Sequence, residues 1–185
     1  VTGDLAARKI IPALWHLFLE ERLPEHLSVV GFARRPFSNA EFQTLVREIV
    51  EKQNQSGENQ EDLARFLALF TYTRGTFESS EAFDALARAI ADTDAAWGVC
   101  ANKLFYLAVP PSAFEDIFKN LAASTLNLSC DGGLGWSRVL IEKPFGADLQ
   151  SAKGLQALLA AYFKEEQLYR IDHYLAKEMS QNIVA

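Results

Sequence analysis

Cysteine is scarce in this chain. There are two, Cys100 and Cys130, among 185 residues. They stand alone, without the paired spacing of a zinc site, so no structural metal is expected. Two isolated cysteines predict a reduced intracellular protein with structural thiols rather than a disulfide. Long apolar runs are also missing. The longest candidates, such as Leu104–Val109, have the length of a buried strand and fall well short of a membrane span. Basic charge is not in excess either: 18 Lys and Arg against 24 Asp and Glu leave a net charge of −6. That balance gives no footprint for nucleic acid. No signal peptide, internal repeat or low-complexity segment is visible, and a cytoplasmic setting is expected. The chain opens on Val1 and runs directly into Thr2-Gly3-Asp4, which reads as a piece of something longer.

What remains is an ordinary globular composition, 49% hydrophobic and 23% charged, enough for one good-sized domain. Short β-branched or apolar runs alternate with longer helical patterns. Helices are expected over Leu5–Leu23, with Pro12 as a break or kink, and over Asn39–Gln53, capped by Ser38 or Asn39. Further helices are expected over Glu61–Ala68, Ser80–Ala91, Ser112–Ala123 with Ser112 as cap, and Asp148–Glu165. Strands are expected over Ser28–Ala33, Phe70–Thr73, Lys103–Val109 and Arg138–Glu142. Gln53–Gln60 and Asp131–Gly135 read as a loop and a turn. Strand–helix–strand alternation implies parallel strands with right-handed crossovers, a three-layer α/β nucleotide-binding fold.

In such sheets ligands gather at the carboxyl ends of the strands. Arg34, the Pro110-Pro111 pair and Lys143 all follow strands and so fall on that edge. Gly3, ahead of a helix, suits a phosphate loop, with Thr2, Asp4 and Leu5 beside it. Alone this is also an ordinary helix start. Arg34 and Arg35 stand where an NAD enzyme often has an acid for the ribose hydroxyl, which favours a 2′-phosphate. Lys143, held by Pro144, can reach a substrate oxygen or the nicotinamide edge. The densest chemistry is Tyr169–Glu178. If the chain after Arg170 is helical, Ile171, Leu175, Met179 and Ile183 form one stripe, and His173 and Lys177 share another face. Tyr169 extends that face if the helix reaches back so far. A cation and an imidazole together suit a phosphate monoester. Asp172 points elsewhere and is suited to orienting a base. His16 and His26 read as structural or surface residues.

These segments resemble the glucose-6-phosphate dehydrogenase family. The match runs through Thr2–Leu14, Val30–Arg34, Asn102–Pro111, Ile141–Ala152 and Tyr169–Met179, covering nearly the whole chain. The resemblance implies a Rossmann-like doubly wound parallel sheet lacking its first strand over residues 1–170. Residues 171–185 would begin the α+β substrate and dimerisation domain. It also implies NADP as coenzyme, glucose 6-phosphate as substrate, and a homo-oligomer at full length. Thr2, Gly3, Asp4 and Leu5 would line the NADP phosphate loop, and Arg34 would bind the 2′-phosphate. Lys143 would lie between nicotinamide and sugar. His173, Tyr174 and Lys177 would hold the sugar phosphate or adjoining hydroxyls. Asp172 and Lys177 would act in the chemistry, Asp172 as partner of a catalytic histidine outside this chain. Alternatives are another NAD(P)-dependent sugar oxidoreductase or a non-catalytic phosphosugar- or nucleotide-binding module. The chain departs from the family at Ala176, where the family has Gly, and at Phe114, where Tyr is frequent.

Overall fold

The computed structural model describes residues 3–53, 59–130, 135–143 and 145–171. It forms two compact units, Val1–Gly98 and Val99–Ala185, each with its own parallel sheet.

In the first unit a wide π turn over Ala6–Ile10 continues into α1, Ile11–Leu19. Pro12 sits in the first turn of α1, where its missing N–H costs no helical bond, so the chain stays helical through it. The helix stops at Leu19, short of the expected Leu23. Glu21 adopts a positive φ of 54°, and the N–H groups of Glu21 and Arg22 fold back onto the carbonyls of Phe18 and Leu17. That pair of bonds closes a helix end.

Strand β1, Val29–Ala33, pairs in parallel with β2, Phe70–Arg74. Between them lie α2, Asn39–Gln53, and α3, Gln60–Ala68. The bounds of α2 are as expected because its start is local chemistry. The Ser38 hydroxyl accepts from the Glu41 N–H, and the Glu41 carboxylate accepts from the Ser38 N–H at 2.8 Å. This reciprocal pair satisfies two of the helix's otherwise unpaired donors. The Ser38 backbone and hydroxyl bonds hold the Glu41 carboxyl below its ordinary value. Phe42, Val46, Ile49 and Val50 recur at helical spacing and are all buried. They meet Ile11, Trp15, Leu63, Phe66 and Phe70 in one core. Phe66 packs edge-on to Trp15 at 5.0 Å and to Phe70 at 4.9 Å. Burying each such ring contributes about 1.5–3 kcal/mol. Helix α4, Ser80–Trp97, runs six residues past its expected end. Nothing between Ala91 and Trp97 breaks a helix, and Gly98, at φ 68°, is the first residue that does.

In the second unit the strand order is β3 (Lys103–Leu107), β4 (Ser137–Glu142), β5 (Leu168–Ile171), all parallel. A 3₁₀ turn, Pro111–Ala113, leads into α5, Phe114–Ala123. Ser112 lies inside that turn, so it does not cap α5 as expected; no side chain does. Helix α6, Leu149–Tyr162, starts from a capping box of Asp148 and Ser151 and ends three residues early. The next residues, Glu165–Gln167, form a 3₁₀ turn that feeds β5. Central strand β4 alternates strictly: Ser137, Val139 and Ile141 are buried, while Arg138, Leu140 and Glu142 are half-buried. Phe114, Ile117, Phe118 and Leu121 form the buried stripe of α5, and Phe118 meets Phe163 edge-on at 5.4 Å.

Parallel strands joined by helices make both units the Rossmann-like α/β arrangement that the alternation predicts. Two expectations fail here. Tyr169, Arg170 and Ile171 are strand residues, so the helical face proposed through Tyr169 does not reach back to it, and Ile171 does not start a helical stripe. β5 pairing along Leu140–Glu142 gives these residues a better partner than a helix turn would. Cys100 and Cys130 are joined as a disulfide, with Cα atoms 6.3 Å apart. The entries to β3 and β4 run side by side and bring together two residues that look isolated in sequence. Among the described residues, β1 and β2 have one strand neighbour each, as do β3 and β5.

Candidate functional site

Each unit presents a carboxyl edge of its sheet, and the two edges differ in chemistry. In the first unit, β1 ends at Ala33, directly opposite Arg74 at the end of β2. Arg34 and Arg35 follow Ala33. All three arginines are solvent-exposed, so this edge is strongly cationic.

Tyr72 fixes the turn that carries them. Its hydroxyl donates to the carbonyls of Ala33 at 2.9 Å and Arg35 at 2.8 Å. Its N–H donates to Asn39 Oδ1 at 2.7 Å, tying the first residue of α2 to β2. Burial pushes the Tyr72 hydroxyl above its ordinary value, and the charges of Arg35 and Arg74 pull it back. An acid does stand near this edge. Glu78, in the loop after β2, is held low first by its own backbone N–H, next by the Thr76 hydroxyl and least by Arg34. Neither Arg74 nor Glu78 was evident from sequence. Arg74 enters through the β1–β2 register, and Glu78 through the fold of the following loop.

Gly3, Asp4 and Leu5 lie in the same unit, at the start of the first helical segment. The Gly3 carbonyl accepts from the Ala7 N–H at 3.2 Å, so the chain is already turning helical there. Asp4 pairs with Arg8 across one turn at 3.9 Å, an exposed contact worth little. Thr2 lies outside the described residues.

In the second unit the edge is built by β3 and β4. Leu107 is opposite Ile141, so Tyr106 lies opposite Leu140 and diagonal to Glu142. The Tyr106 hydroxyl reaches that diagonal and donates to the Glu142 carboxylate. Burial, then the hydrogen bond to Glu142 and its charge, raise the Tyr106 hydroxyl far above its ordinary value. Lys143 is the next residue after Glu142, where β4 stops. Pro144, expected to hold it, lies outside the described residues.

Beyond Lys143 the chain turns at Gly146, whose backbone rests on the first turn of α6. A Cβ on Gly146 would stand 2.5 Å from the Ala152 nitrogen, so a side chain cannot fit without displacing the helix. A cleft of about 740 Å³ opens here, lined by Pro111, Ser112 and Glu115 on one wall and Phe145, Gly146 and Leu158 on the other. Pro111, the second of the strand-end proline pair, therefore helps shape a cavity. Further down the sheet, Arg138 is stacked over the rings of Trp136 at 4.4 Å and Tyr169 at 5.1 Å and donates to the Tyr169 hydroxyl. Tyr169 is thus engaged in holding β5 to β4. Asp172, His173, Tyr174 and Lys177 lie outside the described residues.

Parallel strands with cationic and hydrogen-bonding groups at their carboxyl ends are the arrangement of the dinucleotide-binding class of α/β domains. The family model described as "Glucose-6-phosphate dehydrogenase, NAD binding domain" matches residues 1–182. The chain belongs to the glucose-6-phosphate dehydrogenase family. Glucose-6-phosphate 1-dehydrogenase of Chlamydia muridarum is 42% identical over 187 residues, covering 99% of this chain and 36% of that protein. Glucose-6-phosphate 1-dehydrogenase 2 of Mycobacterium bovis is 43% identical over 185 residues, again 36% of its length. A solved structure described as glucose-6-phosphate dehydrogenase in complex with its substrate glucose-6-phosphate superposes with a TM-score of 0.86 at 39% identity. That match covers 98% of this chain and 36% of the other. The glucose-6-phosphate 1-dehydrogenase of Mycobacterium avium gives 0.76 at 31% identity, with 94% and 34% covered. The chain spans about a third of the length of these relatives.

Proposed function

We propose that this chain is the coenzyme-binding part of an NADP-dependent glucose-6-phosphate dehydrogenase that works in the cytoplasm and, at full length, as a homo-oligomer. Family membership over residues 1–182 carries the reading. The cationic edge of β1–β2 supplies the chemistry. A 2′-phosphate needs fixed positive charge at a strand end, and Arg34, Arg35 and Arg74 provide it on exposed side chains beside a turn locked by Tyr72. The residues therefore fit the phosphorylated coenzyme. Arg34 would hold its 2′-phosphate, while Thr2, Gly3, Asp4 and Leu5 would face its pyrophosphate. When bound, the coenzyme supplies an acceptor for the hydride released from the sugar.

Lys143, at the end of β4, would bind a sugar oxygen and keep the reacting carbon close to the nicotinamide. His173, Tyr174 and Lys177 would hold the 6-phosphate or neighbouring hydroxyls, and Lys177 would contribute to the chemical step through that contact. Asp172 would fix the tautomer of a histidine outside this chain and stabilise its charged form as that histidine takes the C1 hydroxyl proton. No described helix is long and apolar enough to cross a membrane. Relatives include cytoplasmic and chloroplastic members, as their names state.

The test is to join the chain to the rest of the relatives' length and assay NADPH formation from glucose 6-phosphate. Folded protein without turnover would sink the proposal. Calorimetric binding of NADP and glucose 6-phosphate in that inactive protein would instead support a non-catalytic binding module. Turnover of other sugars in preference to glucose 6-phosphate would support a different sugar oxidoreductase.

A further inference from the structure

We infer that Glu78 is a specificity-determining residue of the coenzyme site, placed to accept the ribose 2′-hydroxyl of NAD and so to admit NAD beside NADP. The inference rests on the proposed role of Arg34. The two coenzymes differ only at the ribose 2′ position. A 2′-phosphate is anionic and accepts hydrogen bonds, whereas a 2′-hydroxyl is neutral and can donate one. A guanidinium suits the first and a carboxylate suits the second. In NAD-binding domains an acid near this strand end takes the hydroxyl.

The loop after β2 brings such an acid to the end of β1. The Gly75 N–H donates to the Ala33 carbonyl at 3.0 Å. Gly75 lies so close to Phe32 that a Cβ there would stand 2.6 Å from the ring. Phe77 packs against the same ring, with centroids 6.3 Å apart. Ser79 closes the loop by capping α4, its hydroxyl accepting from the Ala82 N–H at 3.2 Å. Glu78 stands between Phe77 and Ser79, so both of its neighbours are pinned, and the loop is tied to the residue just before Arg34. The Glu78 carboxyl is held below its ordinary value first by its own backbone N–H, then by the Thr76 hydroxyl, and least by the charge of Arg34. It is therefore an exposed carboxylate held by its own loop, beside the guanidinium rather than closed on it. A 2′-phosphate on Arg34 would be attracted by the arginine and repelled by Glu78. A 2′-hydroxyl would use Glu78 and leave Arg34 in water.

The test is calorimetric binding of NAD and of NADP to a polypeptide of the relatives' full length. Glu78→Gln should weaken NAD roughly five- to tenfold, a modest loss for a bond to a charged group because the site is open to water. It should tighten NADP about two- to threefold by removing a like charge. That gain should vanish in concentrated salt, which screens exposed charges, while the loss for NAD persists. Glu78→Asp keeps the charge and should leave NADP at its wild-type affinity. A Glu78→Gln protein whose ratio of NAD to NADP affinity stays within twofold of wild type overturns the inference. Equal weakening of both coenzymes would mark a merely structural residue and overturns it as well.

An Arg34→Ala control separates the two layers. An unchanged affinity ratio in Arg34→Ala overturns the role of Arg34 and this inference with it. A large loss of NADP binding in Arg34→Ala, together with an unchanged ratio in Glu78→Gln, overturns the inference alone.

Discussion

Both sheets end in a tyrosine hydroxyl bond, but the two bonds reach different kinds of acceptor. In the first unit Tyr72 donates to two backbone carbonyls, of Ala33 and Arg35. In the second, Tyr106 donates to the Glu142 side chain. A backbone acceptor cannot move away or change charge, so Tyr72 fixes the shape of a turn. A carboxylate can do both, so Tyr106 restrains a side chain. The edge of β1–β2 is suited to recognising a fixed anion through exposed arginines. The edge of β3–β4 instead joins two side chains across the ladder, Tyr106 and Glu142, just before Lys143.

The units differ most in covalent closure, and the largest expected effect breaks the comparison there. The Cys100–Cys130 bond closes a span of 30 residues in the second unit. On the chain-entropy account, reduction should cost that unit about 3–4 kcal/mol. Hydrogen exchange with and without reductant should show protection lost in β3–β5 and retained in β1–β2. Equal loss in both units would mean that they unfold together.

Next in size is the cationic edge. Arg34→Ala in a full-length protein should lower kcat/KM with NADP by about 10- to 100-fold, the range of charge-assisted bonds to phosphate. With NAD the change should be small. Steady-state kinetics with both coenzymes measure it, and equal losses would remove the 2′-phosphate from the account.

A smaller effect separates the two tyrosines. Tyr72→Phe should destabilise the first unit by about 1 kcal/mol in urea titrations. It should raise KM for NADP a few-fold and leave KM for glucose 6-phosphate alone, whereas Tyr106→Phe should leave KM for NADP unchanged.

The smallest effect is alkaline. The folded chain keeps the protons of Tyr72 and Tyr106 above the ordinary tyrosine value of 10.0. Above about pH 10 the unfolded chain therefore binds fewer protons, and stability falls as pH rises. The contribution of the neutral hydroxyls is complete below that pH. Urea midpoints from pH 8 to 11 should decline more shallowly in Tyr106→Phe than in wild type.

Features set by near neighbours were readable from sequence. The bounds of α2 follow from Ser38 and Glu41, three residues apart, and β4 follows from the short apolar run Val139–Ile141. The strand-end positions of Arg34 and Lys143 were visible for the same reason. Features set by register were not. Arg74 joins Arg34 only because Ala33 pairs with it, and Tyr106 meets Glu142 only through the β3–β4 ladder. The disulfide depends on how the entries to two strands run together. The segment Tyr169–Ile171 carries side chains that suit either a helix or a strand, and pairing with β4 decides for the strand. Local propensity cannot weigh a partner that lies about thirty residues away.

The parallel pairs β1–β2 and β3–β4–β5 leave each terminal strand with a single neighbour among the described residues. A strand edge of that kind is adhesive, because its N–H and C=O groups find partners in another molecule as readily as in their own. Purified alone, this polypeptide should therefore behave as a colloid whose particle size climbs with concentration, and the same edges should make it a poor candidate for concentrated storage.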